Sequence, residues 1–95
     1  MSIGSIADLS GRDLDHAVHA EVMDGNVGDP VPLYSTDWTD VRTVLDRVEA
    51  WLIHKPTRGY VEVRVQIEGK TGEYLAPTLE EAACKAALVA RRREP

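Results

Sequence analysis

The sequence predicts an α+β fold: a small α/β/α-type sandwich in the order α-(short β)-α-β-β-α, with an antiparallel hairpin packed on helices. Three observations predict it. Apolar residues recur at helical spacing around Leu14 and again from Trp38 onward. They alternate with polar residues from Val61 to Ile67. An alanine-rich helical run then closes the chain.

Taken in order, MSIGSIADLS mixes small, polar and scattered apolar residues, so fraying is expected over 1–9. From Gly11, Leu14, Ala17, Val18 and Val22 fall on one helical face with Ser10 as cap, which predicts a helix over 11–23. Gly25, Gly28, Pro30 and Pro32 interrupt regular structure over 24–34, leaving room for a short extended piece at Leu33 and Tyr34. The set Trp38, Val41, Val44, Leu45, Val48, Trp51 and Leu52 then predicts a long helix through position 52.

Val61, Val63, Val65 and Ile67 point to one face of a strand, and Tyr60, Glu62, Arg64 and Gln66 to the other. Gly69 to Gly72 carry turn chemistry for a hairpin into a second strand over 73–76. Two strands alone are marginal, so a third is expected from 30–34 or from another subunit. The last helix opens with Thr78 and Glu81 in capping-box spacing. Its small face of Ala82, Ala83, Ala86, Ala87 and Ala90 permits close approach to a neighbour, and fraying is expected over 91–95.

The 95 residues make one domain, 1–95, and a chain this short buries a modest fraction of its surface, which favours oligomerisation. A formal charge of −5 opposes phosphate backbones and anionic headgroups, so nucleic-acid and membrane partners are not expected. Cys84 is the single cysteine and predicts a reducing compartment. No apolar run approaches the roughly 18–20 residues that cross a bilayer.

YSTDWTD, with six oxygen-bearing side chains, has two readings: a helix cap formed by Ser35 or Thr36 with Asp37 as a first-turn charge, or a ligand site. Its acidity argues against phosphate. GKT is no phosphate loop, since position 64 is Arg and a strand follows. His16 and His19 lack further metal ligands at suitable spacing, Cys84 reads as a packing residue, and no nucleophile pairs with a base. No metal, cofactor or catalytic set is expected. The hairpin followed by EEAACKAALVA is similar in outline to the end of double-stranded-RNA-binding domains. Glu80 and Glu81 stand where those domains are basic, leaving only Lys85.

GRDLDHAVHAEVMDG, YSTDWTDVRTVLDRVEAW, EVRVQIEGK and LEEAACKAALVA, in that order, resemble the phage ABA sandwich domain, a family of small tailed-phage proteins. The matching residues are Leu14, Asp15, Val22 and Met23, then Tyr34 to Asp37, then Cys84 and Ala86 to Leu88. The chain departs from the pattern at Trp38 and Thr39, where an aliphatic start is usual. The resemblance implies an α/β/α sandwich of phage or prophage origin in the cytoplasm of an infected bacterial host, and no activity. With a single alternating strand face the helices are expected mainly on one side, a partner subunit supplying the other layer. Asp15 is expected to hydrogen-bond near the Tyr34–Asp37 corner.

The expectation is a non-catalytic phage accessory protein that binds, as a homo-oligomer. The alternative is a counter-defence protein sequestering a small host signalling nucleotide; a host protein is a further candidate partner, with RNA-binding and enzymatic readings behind. The candidate ligand- or partner-binding residues are Arg12, Asp15, Tyr34, Asp37, Tyr60 and Arg64.

Overall fold

The last helix occupies the centre of the molecule. In the computed structural model, which describes residues 5–25, 28–55 and 57–92, helix α1 is Gly11–Glu21 and α2 is Trp38–Arg47. Strands β1 (Ala50–His54), β2 (Val61–Ile67) and β3 (Lys70–Ala76) follow, and α3 is Leu79–Arg92. The sheet is antiparallel in the order β1-β2-β3. α3 lies across β2 and β3, and α1 and α2 rest on its far side. The fold is α+β with an antiparallel hairpin packed on helices, and the layers run sheet, α3, then α1 with α2.

A helix with neighbours on both sides must be apolar nearly all round, and α3 is buried from Ala82 to Leu88 and at Ala90. Its alanines let it approach β3 so closely that a Cβ on Gly72 would strike the Ala86 carbonyl and the Ala90 amide. On β2, Val63 and Val65 are fully buried while Arg64 and Gln66 are exposed, so the strand alternation reports the core face directly. The Thr78 hydroxyl accepts the Glu81 amide at 3.2 Å, half of the expected box. The Glu81 carboxylate instead holds Lys85 Nζ at 2.9 Å.

The expected long helix over 38–52 is corrected: α2 ends at Arg47, Val48 is extended with ψ 157°, and Ala50–His54 form β1. Val48, Trp51 and Leu52 sit at helical spacing, but β-branched and aromatic residues suit a strand equally, and the ladder to 62–66 supplies long-range hydrogen bonds that a longer helix would forgo. The third strand thus comes from 50–54 and not from 30–34. The expected extended piece at Leu33 and Tyr34 is a turn, because the Leu33 carbonyl accepts the Thr36 and Asp37 amides at 3.2 and 2.8 Å. The hairpin turn is tighter than expected, since β3 already begins at Lys70.

Both ends carry helical turns where they are described. Ile6–Asp8 form a 3-10 turn, and Ile6 and Leu9 pack on the core. Arg91 and Arg92 belong to α3, while positions 1–4 and 93–95 lie outside the described residues.

Candidate functional site

Four of the six sequence candidates, Arg12, Asp15, Tyr34 and Asp37, gather where α1 meets the start of α2, and their polar groups bond inward. Asp15 is 1% exposed. Its Oδ1 accepts the Ser35 amide at 2.7 Å and its Oδ2 accepts Arg12 Nη1 at 3.0 Å. The same guanidinium donates to the carbonyls of Val31 and Pro32, at 2.9 and 3.3 Å, and so pins the loop onto α1. Ser35 Oγ donates to the Gly11 carbonyl at 3.2 Å. The helix cap is Asp37 and not Ser35 or Thr36: its Oδ1 accepts the amides of Thr39 and Asp40, at 2.8 and 3.2 Å. Asp40 in turn accepts the Leu33 amide at 2.8 Å.

Tyr34 is buried in the core, its hydroxyl 3.4 Å from His19 Nδ1 and its ring stacked on the imidazole. Burial, followed by the charge of Asp40, raises its phenol above the usual 10.0. Beside this corner a hollow of about 280 Å³ is lined by Ser10, Gly11, Ser35, Thr78, Glu80 and Glu81 among others, with no cation among its described lining residues. Its charge is wrong for a phosphate.

Tyr60 and Arg64 lie elsewhere, at the sheet. Register places Ala50, Gln66 and Thr71 in one row of the face turned away from α3, Leu52, Arg64 and Glu73 in the next, and His54, Glu62 and Leu75 in the third. Arg64 Nε donates to Glu73 Oε2 at 3.0 Å across the strands. Of the six large apolar residues that are exposed among the described residues, Trp51, Leu52 and Leu75 are on this sheet and Tyr60 immediately precedes β2. A depression of about 130 Å³ over Leu52, Arg64, Gln66 and Thr71 is shallow for a small-molecule site, which typically encloses roughly 300–1,000 Å³. Its chemistry suits a protein surface: apolar edges around one ion pair.

Spacing assigns Trp51 and Leu52 to a helix, and Leu75 falls in the expected second strand without being marked as an exposed apolar residue. The cue for β1 was a run of five residues, AWLIH, without a carboxylate, Lys or Arg between Glu49 and Lys55. The arginines at the end of α3 are engaged within the chain: Arg91 meets Glu68 at 3.1 Å and Arg92 meets Glu21 at 2.7 Å. Lys85 is 4% exposed, over the Tyr74 ring, and cannot reach a nucleic-acid backbone. Cys84 is buried, with its thiol pKa pushed far up by desolvation and then by Asp15. Among the described residues no three His, Cys, Asp or Glu side chains gather as a metal site. No helix among them is long and apolar enough to cross a membrane.

In fold the chain is similar to a phage protein from Bacillus cereus known from its crystal structure, with a TM-score of 0.77 at 20% identity, covering 95% of this chain and 99% of that one. No protein-family model matches the chain, and no curated protein does. The likeness to the phage ABA sandwich domain therefore stands on the quoted residues alone.

Proposed function

We propose that this chain is a non-catalytic phage accessory protein that acts by binding, assembled with copies of itself in the cytoplasm of an infected bacterial host. The observation that carries the binding reading is the sheet: α3 covers one side, exposed Leu52 and Leu75 lie on the other, and Trp51, next to Leu52 on β1 but in register with Val65 on the α3 side, is exposed at the sheet edge. Apolar residues concentrated in this way on a small protein mark a contact surface. The phage setting is supported by the end-to-end fold likeness to the Bacillus cereus protein and by the ordered resemblance to the ABA sandwich domain.

The non-catalytic reading is supported by where the nucleophile candidates sit. Ser35 Oγ is committed to a backbone carbonyl, and the Cys84 thiol is buried and held protonated. Nucleotide sequestration lacks comparable support, because Arg12, Arg64, Arg91 and Arg92 each have a carboxylate partner within the chain.

Sizing chromatography with light scattering at tens of micromolar tests the assembly. A mass at a multiple of 10.5 kDa is expected, and a monomer overturns it. Sequencing the flanking genes tests the setting, with phage genes expected on both sides.

A further inference from the structure

We propose that β1 is a self-pairing edge: two copies of the chain join their β1 strands antiparallel about Leu52, so that two three-stranded sheets become one of six strands. The proposal rests on the homo-oligomer reading above and names its interface.

The direction of the free backbone groups follows from the hairpin. Glu68 and Gly69 have φ of +52° and +79° and form a two-residue turn, so the flanking pair Ile67↔Lys70 is hydrogen-bonded. Hydrogen-bonded and non-bonded pairs then alternate along the ladder. Val61, Val63, Val65 and Ile67 therefore turn their backbone groups toward β3, and Glu62, Arg64 and Gln66 turn theirs toward β1. The 2.8 Å bond from the Glu49 amide to the Gln66 carbonyl agrees with this assignment. The partners of those three residues, His54, Leu52 and Ala50, are thereby satisfied. The amides and carbonyls of Trp51 and Ile53 face the free side, where the sheet has no further strand among the described residues.

Proteins usually blunt such an edge with Lys, Pro or a covering element. This one reads Ala-Trp-Leu-Ile-His, and Trp51 and Leu52 are 44% and 59% exposed. It is also self-complementary. A two-fold axis at Leu52 sets Trp51 against Ile53 of the second copy, twice, each pair exchanging two N–H···O bonds through the outward groups. These are aromatic against β-branched pairs, a favourable cross-strand match. One step beyond each end of the strand, Lys55 of the second copy comes to the end marked by Glu49, whose carboxylate also accepts the Gly69 amide at 2.8 Å, so opposite charges adjoin at both ends. Moving the axis to Ile53 would set Trp51 against Lys55 and lose that match.

The central pair, Leu52 with its copy, is the close, non-hydrogen-bonded kind, with Cα atoms about 4.5 Å apart and within disulfide reach. The test compares Leu52→Cys with Leu75→Cys on the opposite edge strand after mild diamide oxidation, read on non-reducing gels beside the unmodified protein, in which Cys84 is buried. Near-complete covalent dimer is expected for Leu52→Cys and background for Leu75→Cys. A monomeric unmodified protein by light scattering overturns both this proposal and the oligomer reading. An oligomer in which Leu75→Cys links as well as or better than Leu52→Cys overturns the β1 interface alone. Lys55→Glu should weaken dimerisation about tenfold by replacing two attractive pairs with two repulsive ones. An unchanged dissociation constant overturns the register.

Discussion

Asp15 and Ser35, twenty positions apart, are joined by a 2.7 Å bond from the Ser35 amide to the Asp15 carboxylate, with both residues buried. The bond ties α1 to the turn that launches α2. Arg12 lies on the same carboxylate, 3.0 Å away, from the solvent side. Asp15→Ala leaves a buried amide without an acceptor, at a cost of about 1–3 kcal/mol. At roughly 4–8 °C per kcal/mol for a domain of this size, thermal melting should fall by about 10 °C. Asp15→Asn keeps an acceptor and should lose less than half of that, and half-exposed Arg12→Ala less again, under about 1 kcal/mol. Equal losses in all three variants would contradict this ordering.

The cap of α2 separates residues that sequence alone could not. Asp37→Ala should cost about 0.5–2 kcal/mol, because two helix amides lose their acceptor. Thr36→Ala, at an exposed position outside the cap, should change melting by less than about 0.5 kcal/mol. A larger loss for Thr36→Ala than for Asp37→Ala, by differential scanning calorimetry, would return the cap to the preceding residues.

Gly72 sits where α3 crosses β3. Its conformation is ordinary, so the requirement is one of space: a methyl group there meets the backbone of Ala86 and Ala90, which cannot rotate away as a side chain tip can. Gly72→Ala should destabilise by about 3 kcal/mol through overpacking. Urea titration checks it, and a loss under about 1 kcal/mol would show that the helix and sheet can part at little cost.

Burial raises the Tyr34 phenol above its usual value, so the unfolded chain releases this proton first as pH rises. The associated stability is complete below about pH 10 and declines as pH climbs through the folded value. Melting temperatures of the parent chain between pH 9 and 11, a range set around that usual value, should therefore fall more steeply than those of Tyr34→Phe. Parallel curves would place the phenol in water. Near neutrality Tyr34→Phe should be close to neutral in effect, since the hydroxyl's contact to His19 is long, at 3.4 Å.

Local pattern determined α1, β2 and the existence of α3 directly, because an amphipathic helix and a half-buried strand repeat their apolar residues with different periods. The resemblance also points to Asp15 at the corner, where its carboxylate accepts the Ser35 amide. Three features were decided only by the tertiary structure. Val48, Trp51 and Leu52 suit a helix by spacing and a strand by residue type, and the choice fell to strand because the edge of β2 offers backbone partners from a distant part of the chain. Lys85 reads as a surface cation among alanines, yet it is buried over Tyr74 beside Glu81, because α3 has layers on both sides. Ser35, Thr36 and Asp37 are equivalent as caps by type, and Asp37 holds the role because Asp15 and Gly11 have already drawn Ser35 toward α1. In each case the deciding partner lies far along the chain, beyond the reach of a periodicity read from neighbours.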